Sequence, residues 1–425
     1  MRKILVLFLL AANVIACAQK LSEVIDVKEV ERMENFLASD EMRGRRSGSQ
    51  EIDKAADFIA AEFKKTGLQP FRNNTFLQEF LMIRPRFKGV KAEMDGVEID
   101  GKNVIAITSE ADLKVNEKSG YEIQYIKAGD NLNVKAQALI RSNKNLLVFV
   151  DTSFSKNFLR LNNFKRQLFK SATNVIFILG DYSPKEFTIK AEHTIEETPY
   201  KNVVGILPGK SKKNEYVIFS AHYDHIGVGK PVDGDSIYNG ANDDAAGTTA
   251  VILLAEYFKK LKNNERTIVF AAFTAEESGG FGSQYFSKGF EPKQVVAMFN
   301  IEMIGTESKW GKNSAFITGY DVTDMSKIMQ KNLEGSAFVF HPDPYTEQNL
   351  FYRSDNATLA RLGVPAHTIS TAKMESEPHY HKPSDEVSTL DLTNMAEIIK
   401  AIAISSKSII SGKDTPSRVN TETLR

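Results

Sequence analysis

The sequence predicts an α/β protein whose open sheet carries reactive side chains at the carboxyl ends of its strands. Three observations carry this expectation. From Lys201 onward, apolar runs of strand length alternate with amphipathic stretches of helical length. Three of those runs end in His222, in Glu276-Glu277 and in Glu302, and open α/β sheets place ligands beyond the carboxyl ends of their strands. Between the first two runs lies Asp243-Asp244, an acidic pair in a loop of small residues before a helix.

Read from the beginning, Arg2 and Lys3 precede an apolar run over 4–12, too short to span a bilayer, and the run leads into Val14-Ile15-Ala16-Cys17. This resembles a bacterial lipoprotein signal. The resemblance implies a signal peptide over 1–17, lipidation of Cys17 and an exported protein held on a membrane of the cell envelope. Cys17 is the only cysteine, so neither an intrachain disulfide nor a thiolate ligand is available, and any metal falls to His, Asp and Glu. The 54 basic and 54 acidic residues balance, which excludes a broad electrostatic surface for nucleic acid. A hydrophobic share of 42% suits a large core.

Helical spacing predicts helices over 27–38 and 50–65, the second through Ile52, Ala55, Ala56, Ile59, Ala60 and Phe63, with Gly67 at its C-cap and Pro70 beyond. Residues 21–80 are read as the helical N-terminal segment of the main domain. Residues 81–195 change to short β-like runs at 103–108, 146–151 and 174–179, with one helix over 155–170, and are read as an inserted β-rich module. Residues 197–411 form the catalytic domain, with strands at 203–207, 216–221, 266–273, 295–301, 315–318 and 365–370 and helices at 245–262 and 278–288. The polar tail, 412–425, is expected to fray.

Taken singly, each chemical feature has an ordinary reading. Acids before a helix are caps or dipole partners, and paired glutamates are solvated surface. Their order is what matters: His222, Asp243, Glu276-Glu277, Glu302, His381.

That order, with Ala221-His222-Tyr223-Asp224-His225-Ile226-Gly227, the stretch from Asn239 to Gly247, Ala275-Glu276-Glu277-Ser278-Gly279-Gly280, Asn300-Ile301-Glu302-Met303 and Tyr380-His381-Lys382-Pro383-Ser384-Asp385, resembles the co-catalytic zinc aminopeptidase family. Gly44-Arg45-Arg46-Ser47-Gly48-Ser49 resembles that family's N-terminal segment. The resemblance implies a three-layer α/β/α sandwich around a mixed, mostly parallel sheet. It also implies two Zn²⁺ ions, with His222 and Glu302 on one, Glu277 and His381 on the other, and Asp243 bridging them through a cis peptide to Asp244. Asp224 would orient His222 from behind, and Glu276 would be the general base. A metal pair of this kind activates a shared water and polarises the scissile carbonyl. The implied function is an exopeptidase, an aminopeptidase acting on N-terminal residues of peptides. Carboxypeptidase or glutaminyl-cyclase chemistry on the same scaffold, or a non-catalytic peptide-binding lipoprotein, are the alternatives; retention of all five ligand positions and the base favours the enzyme.

Two positions depart from the family's pattern. Glu302 stands where aspartate is usual, which predicts a site of altered geometry. Asn356, in Arg353-Ser354-Asp355-Asn356, stands where histidine is usual, and Tyr352 or Arg353 is the candidate partner of the oxyanion. The module over 81–195 resembles a protease-associated domain, which would restrict the site to short peptides.

Overall fold

The computed structural model describes residues 21–72 and 74–424; the predicted signal, 1–17, and Cys17 lie outside them. The described residues fall into two compact units, one made of 21–79 together with the chain from Tyr200 onward, the other Phe80–Pro199.

In the first unit the helices form where the local signals place them. Val27–Leu37 starts at Asp26, whose carboxylate accepts the Glu29 amide at 2.9 Å, and buries Val30, Met33 and Leu37 on one stripe. Gln50–Thr66 is capped by Ser49 and ends at Gly67, whose φ of 77° is the left-handed conformation a helix stop requires. Across the sheet the strands run Val339–Pro342, Ser314–Ile317, Ala366–Ser370, Val295–Ile301, Lys212–His222, Arg266–Phe273 and the end of Phe187–Leu207. The central pairings are parallel. Ser314–Ile317 with Ala366–Ser370, and Phe187–Leu207 with Arg266–Phe273, are antiparallel.

Arg266–Phe273 and Val295–Ile301 are buried at every position, as expected of strands covered on both faces. Alternation decides which side chain meets which layer. Val217, Phe219, Ile268, Phe270, Ala297 and Phe299 pack with Val30, Ile59, Leu253 and Ile398 of the helices Val27–Leu37, Gln50–Thr66, Ala246–Leu261 and Leu392–Ser405. Ile218, Val269, Ala271 and Met298 face the other way, onto Phe286, Leu359 and Ala360 of Phe281–Ser287 and Asn356–Ala360. The result is three layers around a mixed, mostly parallel sheet.

In Phe80–Pro199, a four-stranded sheet runs Val104–Ile107, Val175–Leu179, Leu146–Val150 and Glu122–Ile126. The α-helix expected over 155–170 is instead a pair of 3₁₀ turns, Thr152–Phe154 and Phe158–Lys165. Phe158, Leu161 and Phe164 recur at a strict spacing of three and pack on one core, which suits three residues per turn better than 3.6. The α-helix of this unit lies earlier, at Leu132–Ile140, started by the Asn131 side chain on the Val134 amide.

The tail also differs from expectation. Arg418 donates to the carbonyls of Val295 and Pro292, Val419 is buried, and the buried Arg266 donates to Asp414 O and Thr415 Oγ1. The arginines anchor a segment whose apolar docking contacts are few, Val419 and Leu424 among them.

One buried acid sets a pH dependence. Glu34, on Val27–Leu37, accepts from Thr249 Oγ1 at 2.7 Å and is fully enclosed. Burial pushes its carboxyl up from 4.5 to about 8, against the lowering pull of Arg45 and with a smaller push from Asp385. Between those two values the folded chain holds a proton that the unfolded chain has released, so stability falls as pH rises through the interval. Glu34→Gln should therefore flatten the decline in melting temperature between pH 5 and pH 8 and raise the melting temperature at pH 8. Thermal melts across that range check it, and an unchanged slope would exonerate Glu34.

Candidate metal centre

Parallel strands end on the same rim, and this chain uses that rim three times. Lys212–His222 delivers His222 and the following Asp224 and His225. Arg266–Phe273 leads through Thr274-Ala275 into Glu276-Glu277, and Val295–Ile301 delivers Glu302. Asp243 comes from the turn before Ala246–Leu261, where the Asp243–Asp244 peptide is cis. His381 comes from the loop beyond Ala366–Ser370 and has a left-handed φ of 55°.

The five predicted ligands converge. His222 Nε2 lies 3.2 Å from Asp243 Oδ1, and His381 Nε2 lies 3.2 Å from both Asp243 Oδ2 and Glu277 Oε2. Donor atoms of His222, Asp243 and Glu302 lie within 4.8 Å of one another, as do those of His225, Asp243 and Glu277. Asp243 belongs to both groups. His222 Nε2, both His225 nitrogens and Glu277 Oε1 are buried without a hydrogen-bond partner, and buried polar atoms are normally paired. A cation between them would satisfy those atoms, and imidazole with carboxylate is a donor set that suits zinc.

The electrostatics agree. Burial would raise the Asp243 carboxyl, yet the His222 and His381 imidazoles hold it well below the usual carboxylate range. Burial likewise opposes charge on His381, but Asp243 and Glu277 raise it to about 10. Glu302 is pushed up to about 7 by burial, with Asp243 adding to the push. Glu276 is raised well above the carboxylate range by burial, then by Glu302, Asp355 and Glu277. Its place on the cleft wall puts a carboxyl group beside the donors, and cations bound there would counter the push of the three carboxylates and favour its proton-accepting form.

Three further carboxylates hold the rim together through backbone amides. Asp244 Oδ1 accepts from Gly247 N (3.0 Å) and Met303 N (3.1 Å), and its Oδ2 accepts from His222 N (3.2 Å). Asp385 accepts from Asn242 N (2.8 Å) and Asp243 N (3.0 Å). Asp224 accepts from Glu276 N (3.0 Å) and from Ser47 Oγ (3.0 Å). Here the expectation for Asp224 is corrected. His222 Nδ1 lies 3.1 Å from the main-chain oxygen of Asp224 and 3.8 Å from its carboxylate. The carbonyl thus orients the ring, while the carboxylate is engaged by the Glu276 amide.

The two departures find structural partners. Ser354 Oγ donates to Glu302 Oε2 in a short contact, and Asn300 Nδ2 donates to Ser354 Oγ at 2.7 Å. Asn356 is fully buried, donates to the carbonyls of Phe351 and Ala366, and accepts from Thr368 Oγ1; it ties a loop to a strand and does not line the cleft. Of the two oxyanion candidates, Arg353 lines the cleft and Tyr352 does not, whereas Tyr380 does.

Three residues here had no assigned role in the sequence reading: Asp385, His225 and Arg45. All stand inside the quoted motifs, and burial, not residue type, sets them apart. Arg45 is fully enclosed and donates to the carbonyls of Leu37, Tyr223 (2.9 Å), Asn239 (2.7 Å) and Gly240 (2.9 Å). It thereby fastens the His222–His225 turn to the turn that carries Asp243.

Beside the donors opens a cleft of about 540 Å³, its open mouth included, whose lining combines Glu276, Glu302 and His381 with the apolar Met303, Phe316, Leu350 and Met374.

A carboxylate–imidazole cluster thus stands on the carboxyl rim of an α/β/α sandwich, an arrangement whose donors suit a metal ion. Residues 202–405 match Peptidase family M28. Over 220 residues it is 30% identical to a probable leucine aminopeptidase of Trichophyton verrucosum, covering 50% of this chain and 58% of that protein. It is 26% identical to the aminopeptidase YwaD of Bacillus subtilis, over 68% of this chain and 58% of the relative. The chain thus spans less than two thirds of these relatives' own length. Among solved structures, the aminopeptidase from Aneurinibacillus sp. strain AM-1 shares the fold with a TM-score of 0.54 at 17% identity, covering 96% of this chain and 98% of that one. The zinc aminopeptidase BSAP of Bacillus subtilis gives 0.55 at 18%, covering 93% and 98%.

Replacing Arg45 tests how much the rim depends on it. Arg45→Met would leave four buried carbonyls without their donor, at about 1–3 kcal/mol each. Denaturant unfolding should show a loss of about 4 kcal/mol or more, and a loss below about 1 kcal/mol would mean that other groups satisfy those oxygens.

Proposed function

We propose that the chain is a zinc-dependent aminopeptidase that uses two metal ions to remove N-terminal residues from peptides. The observation that carries this reading is the shared carboxylate: Asp243 offers Oδ1 towards His222 and Oδ2 towards His381 and Glu277, so one side chain serves two adjacent donor groups. His222 and Glu302 complete one group; Glu277 and His381 complete the other.

Two zinc ions would supply Lewis acidity for water activation and carbonyl polarisation. The remaining work falls to the chain. Glu276 is not in either donor group, its amide is fixed by Asp224, and its carboxylate lines the cleft. It takes the proton from the attacking water and returns it to the leaving amine. Tyr380 also lines the cleft, and burial followed by Asp243, Glu277 and Glu302 raises its phenol, so it stays protonated. It is the neutral donor for the oxygen of the scissile carbonyl, with the cationic Arg353 at the mouth. Met303, Phe316, Leu350 and Met374 offer an apolar wall for the side chain of the N-terminal residue. The names of the relatives, leucine aminopeptidases among them, fit that wall.

The expected substrate is a peptide with a free amino end and an apolar first residue. Leucyl p-nitroanilide should be hydrolysed, its N-acetylated form should not, and Glu276→Gln should lower turnover at least about a thousandfold while zinc content stays unchanged. Wild-type turnover in that variant would remove Glu276 as the base, and equal hydrolysis of the blocked substrate would remove the aminopeptidase reading.

The second part of the proposal concerns location. Arg2 and Lys3, the apolar run over 4–12 and Ala16-Cys17 support export and lipidation at Cys17. Among the described residues no helix is long and apolar enough to cross a membrane, so the lipid would be the anchor. Cys17→Ala should move the protein from the membrane pellet to the soluble fraction, as fractionation and immunoblotting would reveal; retention in the pellet would contradict lipidation.

A further inference from the structure

His225 is buried as deeply as the ligands, yet neither of its ring nitrogens has a hydrogen-bond partner. Its Nδ1 lies 2.8 Å from Glu277 Oε1, itself unpartnered, and 3.9 Å from Asp243 Oδ2. Two donors on one zinc ion, each bound at about 2.0–2.2 Å, lie at most about 4.4 Å apart. The separations of His225 Nδ1 from both carboxylates fall within that limit, as do the 3.2 Å separations of His381 Nε2 from the same two side chains. The two imidazoles stand 5.7 Å apart, centre to centre, at 70°, so they approach Glu277 and Asp243 from different directions.

The surroundings hold the ring in that pose. The His225 amide donates to Arg45 O at 3.3 Å. On the ring's other side, a Cβ at Gly240 would lie 2.5 Å from His225 Cγ and 2.7 Å from Cδ2. Only glycine at 240 leaves room for the imidazole, and its φ of 62° favours glycine as well. An imidazole seated against a glycine, with its Nδ1 2.8 Å from one carboxylate and 3.9 Å from another, has the position of a ligand.

We propose that His225 Nδ1 is a fourth protein donor to the ion held by Asp243, Glu277 and His381. This rests on the two-metal reading above. The two subsites are then unequal: the one shared by His225, Asp243, Glu277 and His381 has four side chains, and the one shared by His222, Asp243 and Glu302 has three. The four-donor subsite binds its ion more tightly and leaves less room for exchangeable ligands, so water and substrate meet mainly the three-donor side.

The test uses the full chain loaded with zinc, and separately with Co²⁺, as wild type, His225→Phe and His225→Gln. Zinc affinity is read by competition with a chromophoric chelator, metal content by elemental analysis, and the donor set by the Co²⁺ absorption spectrum. Loss of a direct donor should weaken one of the two sites by more than about a hundredfold in His225→Phe, beyond the ten- to hundredfold typical of residues that only orient a ligand. The Co²⁺ bands of that site should shift as a nitrogen is lost. His225→Gln, which retains an oxygen donor, should fall between wild type and His225→Phe. A smaller loss of affinity with unchanged Co²⁺ bands would overturn the proposal and leave His225 as a neighbour that positions Glu277. If His225→Phe does not fold, as circular dichroism would show, His225→Gln decides by the same two readings. Wild-type protein that binds fewer than two ions would overturn the two-metal reading itself, an outcome distinct from failure at His225 alone.

Discussion

Everything at the rim depends on negative charge being buried and answered by backbone amides. Asp224, Asp243, Asp244 and Asp385 are each almost wholly enclosed. An unpaired charge in such a place is costly, and burial raises Asp224 and Asp385 to about 6 and Asp244 well above its ordinary range. What offsets the cost is the set of N–H groups that Asp224, Asp244 and Asp385 receive from Glu276, Gly247, Met303, His222, Asn242 and Asp243. Each bond works both ways: the amide stabilises the acid, and, except at Gly247 in the following helix, the acid fixes a residue of a donor group or one next to it. Asp244 alone ties the ends of two strands to the start of a helix. The spacing of His222, Asp243 and Glu302 is therefore set by hydrogen bonds among neighbours, before any ion is bound.

The same reasoning extends the site beyond the stretch that matches the family. That stretch begins at residue 202, yet Arg45 and Ser47 lie far upstream of it. Arg45 places one planar cation against carbonyls from three separate segments, and Ser47 donates to Asp224. A guanidinium suits this position because its donors point in fixed directions in one plane, whereas an ammonium would have to reach the same oxygens from a single atom. The neighbouring Glu34 feels the lowering pull of Arg45, but burial outweighs it and leaves the Glu34 carboxyl raised. The helical segment at the N-terminus is part of the rim's scaffold, though none of its residues belongs to either donor group.

What the sequence showed and what it hid follow from the range of the interactions. The strands that end in Glu276 and Glu302 are unbroken apolar runs, so their limits at Arg266–Phe273 and Val295–Ile301 could be read residue by residue. The five residues that converge at the rim could be picked out because their order and local words are distinctive. Asp224 was found but given the wrong bond, since whether its carbonyl or its carboxylate faces the His222 ring depends on the turn after the strand, which no pattern encodes. The helix Leu392–Ser405 had its signal in Met395, Ile398, Ile399 and Ile402, yet no chemical motif drew attention to it. The docked tail was hidden for another reason. It is held by Arg266 and Arg418 reaching carbonyls distant in sequence, and such contacts leave no periodicity.

The two departures from the family's pattern are best understood together. A glutamate at 302 carries its carboxylate one methylene further from the strand than an aspartate would, so its end needs a fixed point. Ser354 supplies one, and is itself held by Asn300, whose side chain also accepts from Ser220 on the neighbouring strand. Ser354 can do this only if its loop stays close to the sheet. Asn356, two residues on, provides that closeness through the carbonyls of Phe351 and Ala366 and the hydroxyl of Thr368. Thr368 in turn accepts from Asn300, which completes a chain of hydrogen bonds from Glu302 through Ser354, Asn300 and Thr368 to Asn356. On this geometry the longer side chain at 302 and the amide at 356 belong to one arrangement, in which a neutral side chain that both donates and accepts serves better than an imidazole would, because it can hold two carbonyls and a hydroxyl at once.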